Sequence, residues 1–217
     1  MVLPKLKYCG IRNECDLKLV SHSLNQYVGF IFAESKRKVS PLDVRKWLEQ
    51  VKMSNKKLVA VFVNPSLDEI KEAFKEVHFD VIQFHGNESV DFIKKVKALY
   101  STEVWKALHH HSQTLNEMDV YKEIVDGYVI DSRTKNEWGG TGKSFDWNAV
   151  PAYIEFSTSH QKACFIAGGV NKDNILRLID LKPDGIDLSS GIEENEQKAA
   201  HKIEELEERV LQHVKLS

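Results

Sequence analysis

The sequence predicts an α/β protein built as a single (βα)8 TIM barrel, and three observations carry that expectation. Short apolar runs alternate strictly with amphipathic stretches, eight of each. The runs are rich in Val, Ile and Phe, as strands buried on both faces should be. No linker or shift in composition divides the chain, so residues 1–217 read as one domain. Alternation implies a parallel sheet with right-handed crossovers, and an eightfold count at this length favours closure over the alternative, an open doubly wound sheet.

The elements follow in order. LKYCGI leads into NECDLKLVSHS, where Asn13 is placed to cap a helix. YVGFIF is followed by SPLDVRKWLEQV, with Ser40 as N-cap, Pro41 at the first helical position and Asp43 three residues after the cap. Val44, Trp47, Leu48 and Val51 then share one face. KLVAVFV precedes NPSLDEIKEAFKEV, whose stripe is Ile70, Phe74 and Val77. DVIQFHG precedes ESVDFIKKVKAL, which gathers Phe92, Ile93, Val96 and Leu99 on one side. EVWKAL is followed by NEMDVYKEIV, the faintest helical pattern of the set. GYVIDS precedes DWNAVPAYIEF, and ACFIAGG precedes KDNILRLIDLK, both shorter patterns. GIDLSSG leads to EQKAAHKIEELEERVLQHV, a long helix with charges alternating on its solvent side.

Composition narrows the function. At 42% apolar and 29% charged residues, the chain falls outside the disordered, collagenous and membrane-spanning classes. A net charge of -2 without a basic run gives nucleic acid no electrostatic footprint. The N-terminus MVLPKLKYCG lacks the apolar centre of a signal peptide, and no apolar run approaches about 18 residues. Cys9, Cys15 and Cys164 are odd in number, widely spaced and without a CxxC pair, which suits a reducing cytosol. A cytoplasmic protein with no membrane partner is expected.

EWGGTGKS, residues 137–144, imitates a phosphate-binding P-loop without matching it. The motif requires a glycine five residues before Gly142, and that position is Glu137. Eleven residues also separate Asp131 from Lys143, whereas a P-loop follows its strand directly. No Gly-x-Gly-x-x-Gly follows any strand, so a dinucleotide site is not expected either. The glycines serve either a flexible connector or a loop lying against a ligand, Gly140 and Gly142 being the candidate contacts.

In a barrel the chemistry sits at the C-terminal strand ends. Those positions hold Cys9, Arg37 in the second loop, Gln83 and His85, Lys106, Asp131, Gly168 and Gly169, then Asp187, Ser189 and Ser190. The loops after strands seven and eight are the usual phosphate site of such barrels. Glycines there let backbone N–H groups approach an oxyanion, and serine hydroxyls add donors. The implied ligand is a small phosphorylated sugar. Asp131 ends an apolar strand and needs water, a partner or a ligand. Cys9 is either a buried apolar residue or a base. His85 is either a satisfied polar residue or part of the chemistry. The run His109-His110-His111 invites a metal, but adjacent histidines in a loop seldom converge on one ion, and none is expected. A thiol and a carboxylic acid facing a sugar phosphate suit proton transfer, and a positive environment would raise the thiolate fraction.

KYCGI, GFIFAESKRKVSP, VAVFVN, QFHGNE, WKAL, IDSRTKNEWGGTGKSFDW, IAGGV and GIDLSSGIE occur in this order across nearly the whole chain. Together they resemble the phosphoribosylanthranilate isomerase family of tryptophan biosynthesis. The resemblance implies a single-domain (βα)8 barrel that carries out an Amadori rearrangement of N-(5-phosphoribosyl)anthranilate without metal or cofactor. It implies Cys9 as general base, Asp131 as general acid and Arg37 near the anthranilate carboxylate. It implies phosphate at Gly168, Gly169, Ser189 and Ser190. The chain departs from the family pattern at Arg12, which follows CGI where Thr is frequent, and at HSLNQY before the second strand. Two rivals stand beside this reading: a histidine-pathway aminoaldose isomerase, which would use two aspartates, and a barrel that binds a sugar phosphate without catalysis. The oligomeric state is left between monomer and homodimer.

Overall fold

The computed structural model of the chain describes residues 3–132 and 146–216. Gly140, Gly142 and the rest of EWGGTGKS lie outside the described residues. Eight parallel strands close into a barrel in sequence order. They are β1 (Lys5–Cys9), β2 (Tyr27–Ile31), β3 (Lys57–Phe62), β4 (Val81–Phe84), β5 (Glu103–His109), β6 (Gly127–Asp131), β7 (Ala163–Ile166) and β8 (Gly185–Leu188). Closure is made by β1 against β8, from Lys5 opposite Gly185 to Tyr8 opposite Leu188. That pairing removes the open-sheet alternative.

The two faces of each strand carry different layers, as a period of two requires. Cys9, Tyr27, Val59, Val61, Val81, Trp105, Ala107, Val129, Phe165 and Ala167 pack together inside the barrel. Tyr8, Val28, Phe30, Ala60, Ile82, Phe84, Val104, Tyr128, Ile166 and Ile186 belong to the larger core under the helices. Three aromatic rings fill the barrel interior: Tyr27 lies 5.0 Å from Trp105 and 5.4 Å from Phe165, and Trp105 lies 4.5 Å from Phe165, centroid to centroid. Gly185 makes room for this plug, because a Cβ there would run into the Phe165 ring.

The helices begin where their capping residues stand. They are α1 (Glu14–Ser21), α2 (Pro41–Gln50), α3 (Leu67–Glu76), α4 (Val90–Leu99), α5 (Thr114–Tyr121), α6 (Val150–Ser159), α7 (Ile175–Asp180) and α8 (Ala200–Leu216). Asn13, Ser40, Ser66 and Ser89 each accept a hydrogen bond from a backbone N–H of the first turn, and Ser66 with Glu69 completes a capping box. Each such cap is worth about 1 kcal/mol. No helix among the described residues is long and apolar enough to cross a membrane.

Three details differ from expectation. Leu99, the last residue of α4, is 54% exposed rather than part of the buried stripe. The neighbouring Tyr100 takes up the packing instead, its ring 4.2 Å from that of Phe74. The helix DWNAVPAYIEF opens as a 3-10 turn over Trp147–Ala149 and then runs ten residues, longer than its sequence pattern suggested. The final helix starts only at Ala200, because the residues before it form a small antiparallel ribbon, β9 (Glu193–Glu194) with β10 (Gln197–Lys198). Asn195 and Glu196 turn that ribbon with φ of 47° and 66°, the left-handed pair of a two-residue hairpin.

Candidate active site

The C-terminal strand ends open on a cleft with about 920 Å³ of space, continuous with solvent. Cys9 from β1, Arg37 from the loop after β2, Gln83 and His85 from β4, and Asp131 from β6 line it. Gly168 and Gly169 beyond β7 and Asp187, Ser189 and Ser190 from the end of β8 complete the wall. Of the site residues named from the sequence, all of those described except Lys106 therefore face one space.

Lys106 does not join them. Trp105 and Ala107 point into the barrel, so Lys106 between them points out. It is fully buried there. Its ammonium donates to the Gly86 carbonyl at 2.6 Å and to Glu88 Oε2 at 3.1 Å. Glu88 in turn accepts from the backbone N–H groups of Asn64 and Gly86. This outer pair ties the loops after β3 and β4 together from behind the cleft. Burial lowers the Lys106 pKa, with the Glu88 charge opposing it.

Cys9 rests on a charged pair. Lys7, two residues earlier on the same inward face, is 0% exposed and donates to Asp187 Oδ2 at 2.7 Å. Burial works against the Lys7 charge, but Asp187 and Cys9 outweigh it and its pKa is raised. The Cys9 thiol is pushed up by burial, which Lys7 opposes and Asp187 reinforces. The cations beside the thiol, Lys7 and Lys198, therefore oppose the upward shift without reversing it. Asp187 is raised as well, by burial first, with Lys7 opposing and the Asp131 charge adding. Asp187 Oδ1 and Gln83 Oε1 are buried acceptors with no hydrogen-bond partner among the described residues.

Arg37 is 5% exposed and held by Glu193 of the ribbon. Its Nε donates to Glu193 Oε1 at 2.9 Å and its Nη2 to Oε2 at 2.6 Å, a two-pronged pair. Lys198 donates to the same Oε1 at 2.7 Å and to the Cys9 carbonyl at 2.7 Å. Burial would raise the Glu193 carboxyl; hydrogen bonds and charge from Arg37 and Lys198 win and bring it down to about 2. The strand carrying Cys9, the loop carrying Arg37 and the ribbon after β8 are thus one bonded unit.

At the other wall, Gly168 and Gly169 have φ of 86° and 65°, which side chains resist. A Cβ at Gly168 would strike Ser132, and one at Gly191 would strike the Val170 carbonyl. The loops after β6, β7 and β8 are therefore packed backbone to backbone beside Ser189 and Ser190. Gly29 performs the same service for Cys9: a Cβ there would stand 2.7 Å from Cys9 Sγ.

The three consecutive histidines diverge. His110 Nδ1 lies 2.8 Å from the Tyr153 hydroxyl, and His111 Nε2 lies 3.1 Å from Glu117. His109, which ends β5, instead sits beside His85, ring centroids 5.3 Å apart. His85 Nε2 is 3.7 Å from Asp131 Oδ2. Lys7, Glu193 and Lys198 are site neighbours that inspection of strand ends passes over, and His109 is a strand end that the run EVWKAL stops short of.

The model of the N-(5'phosphoribosyl)anthranilate (PRA) isomerase family matches residues 6–209. The N-(5'-phosphoribosyl)anthranilate isomerase of Bacillus subtilis (strain 168) is 49% identical over 217 residues, 100% of each chain. The crystal structure of phosphoribosyl anthranilate isomerase from Thermotoga maritima superposes with a TM-score of 0.85 at 28% identity, covering 97% of this chain and 100% of that one. A phosphoribosyl anthranilate isomerase in complex with reduced 1-(o-carboxyphenylamino)-1-deoxyribulose 5-phosphate gives a TM-score of 0.79 at 26% identity, covering 97% and 100%.

Proposed function

The chain belongs to the N-(5'-phosphoribosyl)anthranilate isomerase family, and from that membership we propose how its cleft divides the work of the reaction. It is an isomerase of tryptophan biosynthesis, converting N-(5-phosphoribosyl)anthranilate to 1-(o-carboxyphenylamino)-1-deoxyribulose 5-phosphate by an acid/base Amadori rearrangement. The observation that carries the assignment of roles is that Cys9 and Asp131 line one cleft whose far wall is the glycine and serine pair of loops after β7 and β8.

Asp131 donates a proton to the furanose ring oxygen. The bond from that oxygen to C1′ breaks, and the anthranilate nitrogen supplies the electron pair that makes the iminium. The iminium acidifies the C2′ proton, which the Cys9 thiolate removes. The electrons of that C–H bond form the C1′–C2′ double bond, and the positive nitrogen is neutralised. The enolamine then tautomerises to the ketose. The substrate's own nitrogen is the electron sink, so the scheme uses no cofactor.

The remaining residues hold the substrate. Gly168, Gly169, Ser189 and Ser190 receive the phosphate. Arg37 faces the anthranilate carboxylate, with Glu193 fixing the plane of its guanidinium. A buried acceptor left unpaired costs about 1–3 kcal/mol, so Gln83 Oε1 and Asp187 Oδ1 are matched to substrate hydroxyls. His85 stands 3.7 Å from Asp131 and orients that carboxyl. We also read residues 1–217 as one domain, and place it in the cytoplasm because Cys9, Cys15 and Cys164 are all free thiols.

Turnover is followed by the fluorescence of the anthranilate substrate. Cys9→Ser and Asp131→Asn are each expected to lose at least about a hundredfold in rate, the usual worth of a positioned acid or base. Near-normal rates in both, with folded protein by circular dichroism, would remove the assignment of roles.

A further inference from the structure

We propose that His85, His109 and Asp131 form a binding site for a divalent first-row metal ion, zinc above all, and that the ion occupying it blocks the isomerase. The three residues stand at the ends of neighbouring strands β4, β5 and β6. Val81, Ala107 and Val129 face the barrel interior, and the period of two carries that inward direction on to His85, His109 and Asp131 at its mouth. Their ligand atoms, one from each, all lie within 4.8 Å of one another.

Each of the three residues is partly exposed, and His85 and Asp131 line the cleft itself. Two imidazole nitrogens and one carboxylate oxygen are the donor set that zinc accepts in open, three-ligand sites. With metal–ligand distances of about 2.0–2.2 Å, tetrahedral ligand atoms stand about 3.3 Å apart. Rotation of three side chains at strand ends closes the difference, while the strands themselves stay hydrogen-bonded: His85 N–H donates to the Phe62 carbonyl at 2.8 Å, and His109 pairs in register with Asp131. The fourth position opens to the cleft and takes water. Zinc prefers nitrogen and a single oxygen here over magnesium or calcium, which want oxygen ligands throughout.

The site differs from the histidine run read as a unit. His110 and His111 are bonded to Tyr153 and Glu117 on the outside of the barrel, and only His109 reaches the mouth. An ion held by Asp131 removes the carboxyl that the reaction needs and stands in the path of the substrate. Inhibition by the metal is therefore competitive and reversed by a chelator.

The test uses Co2+ and Zn2+ as chlorides in metal-free buffer. Co2+ is expected to give the visible absorption of a low-coordinate nitrogen and oxygen site, with one ion per chain. His85→Gln or His109→Gln should abolish that absorption. Zn2+ should raise the apparent KM, and His109→Gln should weaken its inhibition by at least about tenfold, as loss of a ligand does, while metal-free turnover stays within about twofold. His111→Gln should change neither. Absence of the Co2+ bands overturns the proposal. So does a thiolate-to-cobalt charge-transfer band, which would assign the ion to a cysteine, or inhibition lost in His111→Gln and kept in His109→Gln. The Co2+ readout does not depend on Asp131 acting as the acid, so failure of that role and failure of the metal site give different results.

Discussion

Lys7 and Asp187 meet at 2.7 Å inside the barrel, on the two strands whose pairing closes it, and Cys9 stands on the same pair. The ion pair is buried and its charges were taken out of water at a cost of several kcal/mol each, so it persists only because each partner and the thiol use it. It is the electrostatic floor beneath the Cys9 thiol.

Removing Lys7 tests that floor. In Lys7→Met the buried Asp187 loses its counter-charge, a change worth about 3–5 kcal/mol of stability. Lys7→Met with Asp187→Asn is expected to recover most of that loss in urea titration. The thiol, deprived of the cation, should be alkylated by iodoacetamide only at higher pH than in the parent, measured in a Cys15→Ser background. Unchanged alkylation against pH would show that Lys7 serves packing alone.

With Cys9 as the proposed base, its raised thiol is expected to set the alkaline dependence of kcat/KM. Since burial pushes Cys9 up from an ordinary value of 9.0, kcat/KM should still be climbing as pH rises past neutrality. A kcat/KM limb already level at neutral pH would contradict the thiolate as base in the unliganded cleft.

Glu193 sets an acid dependence of stability. Its folded carboxyl is brought down to about 2 from an ordinary 4.5, so its stabilisation is complete above the higher value and fades as pH falls toward the lower. The urea midpoint should drop between about pH 5 and about pH 2, and Glu193→Gln should flatten that part of the drop. An identical acid slope in the variant would show that other carboxylates carry it.

Gly29 constrains Cys9 sterically. In Gly29→Ala the new Cβ would lie 2.7 Å from Cys9 Sγ and 3.2 Å from its Cα, which cannot yield. A shift of the thiol of a few tenths of an ångström is expected to lower kcat by about tenfold or more while KM changes little. Gly168→Ala should do the reverse, raising KM and weakening competition by inorganic phosphate, because its φ of 86° and the nearby Ser132 leave no room for a methyl group. Parallel kcat effects in both variants would blur the division between the two walls.

The barrel was legible because each strand announces itself twice, by an apolar run and by the capping residue of the helix that follows. Ser40, Ser66 and Ser89 cap where their spacing says they should. Cys9, Asp131 and the glycine pair were legible because strand ends are where a barrel must place polar groups. Lys106 misled, since nearness to a strand end does not fix the side; parity does, and Trp105 already occupied the interior. Lys7 was hidden inside a strand, where parity with Cys9 is the only signal. The ribbon was hidden because helix-forming residues such as Glu196 and Lys198 occupy it. Long-range contacts, the Glu193–Arg37 ion pair and the hydrogen bond from Lys198 to the Cys9 carbonyl, overrule that local preference.

The ribbon after β8 has a consequence for how this barrel can be divided. Glu193 anchors an arginine that lies in the first quarter of the chain, and Lys198 reaches back to the carbonyl of Cys9. The catalytic face is therefore latched by its two ends. If the chain were cut after β4, the N-terminal fragment would own Cys9 and the Arg37 guanidinium but neither of the groups that seat them. The two halves would have to recombine, with the ribbon as the clasp, before either contained a finished site.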